Sequence, residues 1–228
     1  MKNFKILSVG GSIIIPKTGF DIKFLKKFRK LILDEVKKGH KFILTIGGGA
    51  TCRSYQTAAK DVTKLSDQDL DWIGIHSTIL NAQFIRILFG GHAHKEVDRD
   101  PSKKIKTNKS IIVTAGWLPG HSTDTDAVLL AKTYGIKDVV NLSNIEYVYD
   151  KDPNKHKNAK KIEQICWSDF RENIVGNKWN PGKSAPFDPI ASIEAQKLGL
   201  RVSILDGTNL QEVSNVLRGK KFKGTIIY

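Results

Sequence analysis

Short apolar runs alternate with segments of helical periodicity from one end of the chain to the other, and this alternation constrains the fold more than any other feature. Residues 4–9 read as a strand that stops at Gly10-Gly11-Ser12. Asp21 then opens a helix whose apolar residues Ile22, Leu25, Phe28, Ile32 and Val36 recur every three or four positions, with Gly39 closing it. Residues 42–46 form the next strand and end in Gly47-Gly48-Gly49. A helix through Tyr55 and Ala59 follows, then a longer one over about 67–88. Residues 111–113 are strand-like and lead through Gly116, Pro119 and Gly120 to a helix over about 123–134. Strands over 139–142, 202–205 and 225–228 complete the series, with helix starts expected at Ser168-Asp169 and at Asp188-Pro189. Such a βαβα alternation with short links predicts an α/β fold, a mostly parallel central sheet covered by helices on both faces. The polar, lysine-rich stretches 90–109 and 149–161 read as lids or surface excursions.

The chain of 228 residues is long enough for one such domain with a sizeable core. Its two cysteines, Cys52 and Cys166, stand far apart without CxxC spacing, which argues against a disulfide framework and a zinc site. No apolar run approaches the roughly 20 residues that span a bilayer. The first residues lead into a strand without the apolar core of a signal peptide, so a cytoplasmic protein without membrane partners is expected. Lys and Arg total 37 against 23 Asp and Glu, a surplus of 14 that suits anionic partners such as nucleotides, although much of it lies in solvated lysine runs.

The glycine turns carry the chemistry. In Ser8-Val9-Gly10-Gly11-Ser12 and Ile46-Gly47-Gly48-Gly49-Ala50, missing side chains let backbone N–H groups approach a ligand closely. Helix starts behind such turns add positive dipoles, so the pair predicts two anion cradles at the carboxyl ends of strands. Neither turn fits GxxxxGK[ST] or GxGxxG. Arg53, four residues after Gly49, falls one helical turn on and faces the same anion. A third junction, from Gly116 to Asp126, offers hydroxyls, backbone donors and the acids Asp124 and Asp126 at a helix start, where capping alone explains one acid but not the cluster.

These segments, SVGGS, IGGGATCRSY, PGHSTDTDAVLLA, NLSNIEYVYDKDP and FDPIASIEAQKLGL, occur in an order that resembles the amino acid kinase family, and within it the archaeal-type uridylate kinases. The resemblance implies the amino acid kinase fold in one domain over 1–228, with an acceptor lobe over about 1–135 and an ATP lobe over about 136–228. It implies ATP and UMP as substrates, Mg²⁺ carried with ATP, and a homohexamer. By the same resemblance Gly11, Ser12, Gly49 and Arg53 contact phosphates, and Ser143, Asn144, Tyr149 and Asp152 form the adenine-nucleotide pocket. Gly48 and Asp71 contact UMP, Asp71 at the ribose hydroxyls, while Trp117, Leu118, Pro119, Gly120, His121, Ser122 and Thr123 wrap its base and phosphate. Asp124 and Asp188 organise the catalytic centre with Arg53. The chain departs from the pattern at Ser8, where many relatives carry a lysine, leaving Lys17, Arg53, Lys183 and Mg²⁺ as sources of positive charge. It departs again at Asn144-Ile145-Glu146-Tyr147, where Asn-Val-Asp-Gly is usual, and at His121 and Asp126.

Phosphoryl transfer to a phosphate needs no strong base, because the attacking oxygen is already ionised at pH 7. Alignment and charge neutralisation then carry the reaction, which is what backbone cradles, Arg53 and orienting acids supply. Alternatives within the fold are kinases of isopentenyl phosphate or of an amino acid; outside it, a nucleotide- or nucleic-acid-binding regulator without activity. The four tryptophans do not interleave with arginine, which argues against nucleic acid. His92 and His94 lack a nearby carboxylate or cysteine at ligand spacing, so no metal site is assigned. Cys52 sits near a helix start that can lower its pKa, and packing is its simpler role.

Overall fold

The computed structural model describes residues 4–179 and 185–228. In chain order the elements are β1 (Phe4–Val9), α1 (Gly11–Ile14), α2 (Ile22–Lys37), β2 (Lys41–Ile46), α3 (Gly49–Val62), α4 (Asp67–Phe89) and β3 (Ile111–Thr114). They continue with α5 (Thr123–Tyr134), β4 (Asp138–Ser143), β5 (Val148–Tyr149), β6 (Lys161–Ile162), β7 (Gln164–Ile165) and α6 (Trp167–Phe170). The last four are α7 (Pro189–Leu198), β8 (Arg201–Asp206), α8 (Leu210–Leu217) and β9 (Thr225–Ile227). Seven strands form one sheet in the order β3-β2-β1-β4-β8-β9-β7, and β5 pairs with β6 in a separate hairpin. The five strands from β3 to β8 are parallel; β9 is antiparallel to β8.

The two faces of the sheet follow from the period of two along each strand. Leu7, Val9, Phe42, Leu44, Ile46, Ile111 and Val113 turn to one face, where Phe28 and Ile32 of α2, Ile85 and Phe89 of α4 and Val213 of α8 cover them. Ile6, Ile43, Ile112, Val139 and Val202 turn to the other, under Val128 and Ala131 of α5, Trp167 and Phe170 of α6, and Ala191 of α7. Both faces are buried, so the strands read as continuous apolar runs.

Local signals set the helix ends. Asp21 caps α2 through the amide of Phe24, and Asp188 caps α7 with Pro189 in its first turn. Ser66 and Asp69 form a reciprocal capping box on α4. Ser168 does not cap a helix: Cys166 occupies the cap of α6, its side chain bonding the Ser168 hydroxyl rather than a helix amide, and Ser168 lies inside the turn. Residues 90–109 are also not a lid. Ala93 and Asp98 bridge to Ile111 and Thr114 of β3, and the Thr133 hydroxyl donates to the carbonyl of buried Pro101 at 2.6 Å. The segment lies along the outer strand, and its backbone groups satisfy that edge.

The β1 and β2 glycine turns touch backbone to backbone. A Cβ on Gly11 would overlap the Gly47 carbonyl and the Gly49 amide, and Gly49 itself has φ +63°, open to glycine at little cost. Gly11→Ala is expected to lower unfolding stability by about 3 kcal/mol. Gly91→Ala, where nothing lies within 4 Å, serves as control and changes it by about 0.5 kcal/mol or less. Urea midpoints at constant slope measure both, and equal effects would refute the close-approach reading.

Candidate active site

The chain winds from β1 to β2 and β3 on one side, then returns through β4 to β8 on the other. The reversal falls between β1 and β4, and in such sheets the crevice at the carboxyl ends beside that point receives ligands. There Gly10 donates to the Leu142 carbonyl at 2.9 Å and Gly47 to the Val9 carbonyl at 3.0 Å, which fixes where both turns leave the sheet. Asn81, 1% exposed on α4, donates to the carbonyls of Gly47 and Gly48 at 2.9 Å each. Their carbonyls are thereby occupied on the α4 side, and the first amides of α3 lack helical partners in any case.

One register level of the sheet is polar. Thr114, Thr45, Ser8 and Asn141 are cross-strand neighbours through β3, β2, β1 and β4, on the face covered by α5. Thr114 and Thr45 bond each other at 3.0 Å. Ser8 and Asn141 both reach Asp124 Oδ1, at 2.7 and 3.1 Å, and the Asp188 amide donates to Asp124 Oδ2 at 3.3 Å. Asp188 is itself nearly buried, at 3% exposure. Its Oδ1 caps α7 and its Oδ2 accepts from the Ser122 amide at 2.6 Å, joining the starts of α5 and α7. Asp124 is therefore no helix cap; Ser122 caps α5 through the Asp124 amide.

Burial and the neighbouring Asp188 charge push Asp124 up to about 7, against the opposing bonds from Ser8 and the Asp188 amide. Ser8 stands where a cation would lower it and supplies only a neutral hydroxyl. A carboxyl that keeps its proton to about 7 when folded and loses it near 3.9 when unfolded makes the folded state bind the extra proton. Stability then falls as pH rises across that window.

Two cavities flank this centre. One of about 260 Å³ is lined by Gly11, Ser12, Ser143, Asn144, Asp124 and Asp188; the other, of about 250 Å³, by Gly48, Gly49, Asp71, Leu118 and His121. Arg53, Ser122, Thr123 and Trp179 border both. Gly49 thus faces the second cavity rather than the first. Trp117, Pro119 and Gly120 do not line it; the Trp117 and Gly120 amides instead donate to Asp126 and Asp71, at 3.3 and 2.7 Å. Tyr149 and Asp152 lie outside the first cavity, and Asp152 bonds within its own turn. Lys17 lines neither cavity, and Lys183 lies outside the described residues.

Sequence reasoning missed two contributors. Lys178 lines the first cavity, and Trp179, whose indole lies 3.4 Å from both Asp71 oxygens, stands between the two. Neither carries a motif; only the return of the chain after α6 brings them here. Burial pushes the Cys52 thiol up and Arg53 offsets only part of that, which sets aside a lowered pKa and agrees with a packing role. His94 bonds Thr107, and among the described residues no group of three acidic, His or Cys side chains could hold a metal ion.

A doubly wound sheet with paired glycine turns and two cavities meeting at an arginine defines an α/β protein built to hold two anionic ligands side by side. Residues 3–206 match the model of the amino acid kinase family, and the chain belongs to that family. It is 31% identical over 224 residues to the uridylate kinase of Thermococcus kodakarensis, covering 97% of this chain and 98% of that one. The uridylate kinase of Methanocaldococcus jannaschii is 29% identical over the same shares. Among solved structures, the uridylate kinase from Archaeoglobus fulgidus superposes with a TM-score of 0.81 at 25% identity, over 99% of this chain and 100% of that one. The UMP kinase from Bacillus anthracis has the same fold, with a TM-score of 0.77 at 20% identity.

Asp124→Asn removes the buried charge. In the ligand-free protein it is expected to raise stability at pH 8 by roughly 1–3 kcal/mol, several degrees of melting temperature, with the gain vanishing below about pH 4. Thermal melts across pH check the sign; a variant relatively less stable at pH 8 than at pH 4 would contradict it.

Proposed function

We propose that this chain is an ATP-dependent UMP kinase, moving the γ-phosphoryl group of ATP to UMP to give UDP and ADP. The observation that carries the reading is the meeting of two cavities at Arg53, between two glycine turns in backbone contact. Relatives named uridylate kinases match it over nearly their whole length.

ATP takes the cavity of Gly11, Ser12, Ser143 and Asn144, with backbone amides and the Ser12 hydroxyl on its phosphates and Lys178 at the rim. Tyr149 and Asp152 would meet the nucleotide only beyond that cavity. UMP takes the second cavity, its phosphate toward Arg53 and Gly48 and its ribose toward Asp71, with Leu118, His121, Ser122 and Thr123 forming the wall. Arg53 neutralises the two phosphates, and Asp124 and Asp188 orient the start of α5 against them. A magnesium ion fits on the nucleotide's phosphates, where it neutralises charge in transfer, and the Gly10–Ser12 turn holds the group that carries it. The Asp124 oxygens are occupied by Ser8, Asn141 and the Asp188 amide, so this acid positions α5 rather than taking a proton from the acceptor.

With an acceptor lobe over about 1–135 and an ATP lobe over about 136–228, the first cavity lies between residues of both, while the second is lined from the acceptor lobe with Trp179 from the other. Exposed apolar residues on α3 and α4, Tyr55, Leu80 and Ile87 among them, support self-association, and a homohexamer is the assembly that the family resemblance implies. A cytoplasmic enzyme fits the absence, among the described residues, of a helix apolar enough to cross a membrane.

A coupled ADP-release assay across UMP, CMP, dUMP, isopentenyl phosphate and glutamate tests the reading, with UMP expected to give the highest kcat/KM. Turnover of isopentenyl phosphate or glutamate in preference to UMP would replace it with another kinase of this fold. No turnover, with nucleic-acid binding that falls steeply with salt, would replace it with a regulator.

Two variants test the roles. Arg53→Ala should lower kcat/KM for UMP by about 10²-fold with an unchanged melt. Asp71→Ala should erase the preference for UMP over dUMP, since a carboxylate short of one donor no longer penalises the missing hydroxyl. Retained discrimination in Asp71→Ala would remove that assignment.

A further inference from the structure

The acceptor cavity has an unusual balance of charge for a site that takes a phosphate ester. Among the described residues lining it, the carboxylates of Asp71 and Asp126 face a single guanidinium, that of Arg53. Asp188 and Asp124 lie immediately beside it, at the starts of α7 and α5. A dianionic ligand entering such a cavity meets net repulsion unless another group supplies positive charge. The one remaining titratable base in the lining is His121.

His121 is held for that purpose. Its Nε2 lies 3.1 Å from Asp126 Oδ1, with side-chain exposures of 14% and 2%. Asp126 is fixed in turn by the Trp117 amide at 3.3 Å, so the ring and its anchor sit on the two ends of one loop-to-helix junction. Nε2 being engaged, Nδ1 is the ring nitrogen without a partner among the described residues, on a ring that lines the cavity.

We infer that the His121–Asp126 pair is the acceptor-side cation: Asp126 anchors the ring through Nε2, and the imidazolium donates from Nδ1 to an anionic oxygen of the acceptor. The inference rests on the UMP reading of the cavity. Acceptor affinity then depends on the protonation of one ring.

The surroundings support a charged ring. Burial pulls His121 down, but the hydrogen bond and charge of Asp126, with Asp188 and Asp71 further off, outweigh it and leave it above the ordinary imidazole value. Asp126 is also raised, by burial, against the opposing bond and charge of His121, so the pair as a unit retains a proton. Among the described residues lining the cavity, Arg53 on α3 is the one charge that opposes protonation of the ring.

Two measurements test this. The first follows the His121 ring signals by NMR against pH in the wild-type protein, with and without saturating UMP. Bound UMP should raise the ring's pKa by about one unit, the reciprocal of a tenfold tighter grip on the protonated form. An unchanged titration with UMP bound overturns the inference. The second compares KM for UMP in wild type and His121→Gln between pH 5.5 and 9. The phosphate of UMP titrates near pH 6 on its own. Both proteins share that effect, so the ratio of their KM values isolates the ring. The ratio should be about tenfold at the acid end and near one at pH 9, with KM for ATP changed less than twofold. Asp126→Asn should move the midpoint to lower pH. A flat ratio overturns the role of His121 while UMP turnover still stands. Wild-type protein that neither binds nor phosphorylates UMP overturns the acceptor reading and this inference together.

Discussion

The contact between Gly11 and the Gly47–Gly49 turn sets what this site can be. Two anionic groups are brought together only if the elements that hold them come within backbone distance, and any side chain at Gly11 or Gly49 would hold the turns apart. The contact also fixes the register of the sheet at its carboxyl edge, because each turn leaves its strand through a bond to a neighbouring strand, Gly10 to Leu142 and Gly47 to Val9. Asn81 secures the second turn from behind, giving the buried Gly47 carbonyl a donor and adding a second one to the Gly48 carbonyl, which also accepts from the Cys52 amide. Backbone groups alone bring no full charge to balance two phosphates, so the arginine that borders both cavities becomes necessary.

Asp124 is where the fold bears a cost for that arrangement. Its oxygens are tied to β1, β4 and the start of α7, which makes it the joint between both halves of the chain. None of its partners is a cation, and Asp188 beside it is another acid. A carboxyl in such surroundings holds its proton until about 7, and ionising it in the empty site works against stability. Functional sites commonly store this kind of cost, and arrival of positive charge with a nucleotide is the event that would relieve it.

The sheet was legible because each parallel strand is buried on both faces and so appears as an unbroken apolar run. The helix from Thr123 to Tyr134 matches its expected bounds because Ser122 and Gly135 punctuate it. Short pieces were not legible: β5, β6 and β7 are two residues each, and they exist through pairing, β5 with β6 in a small hairpin and β7 with the distant β9. The sequence reading assigns no helix to Leu210–Leu217, although Asn209 caps one there. The stretch 90–109 reads as a lid or a surface excursion because its residues are mostly polar, while its fixing contacts are backbone bridges to β3 that composition does not encode. At the site, glycine turns and Arg53 could be read from spacing, since backbone exposure depends on residue type alone. Lys178 and Trp179 could not, because their place depends on how the chain returns after α6.

The two cavities divide the work of recognition differently. On the first, Gly11 and Ser12 offer mainly main-chain groups, whose positions follow from strand ends and tolerate few changes. On the second, Asp71, His121, Asp126 and Trp179 are side chains from three separate segments, tied to one another and to the Trp117 and Gly120 amides. Backbone cradles recognise what all phosphates share, whereas a constellation of side chains can distinguish one acceptor from another at the cost of single substitutions. The same sheet can therefore keep its phosphate chemistry while its acceptor changes. On the proposed reading the acidic lining of the second cavity acts as selection: carboxylates that accept hydrogen bonds from hydroxyls repel a bare phosphate, and only a ligand presenting both groups in the right order meets Asp71 at one end and positive charge at the other.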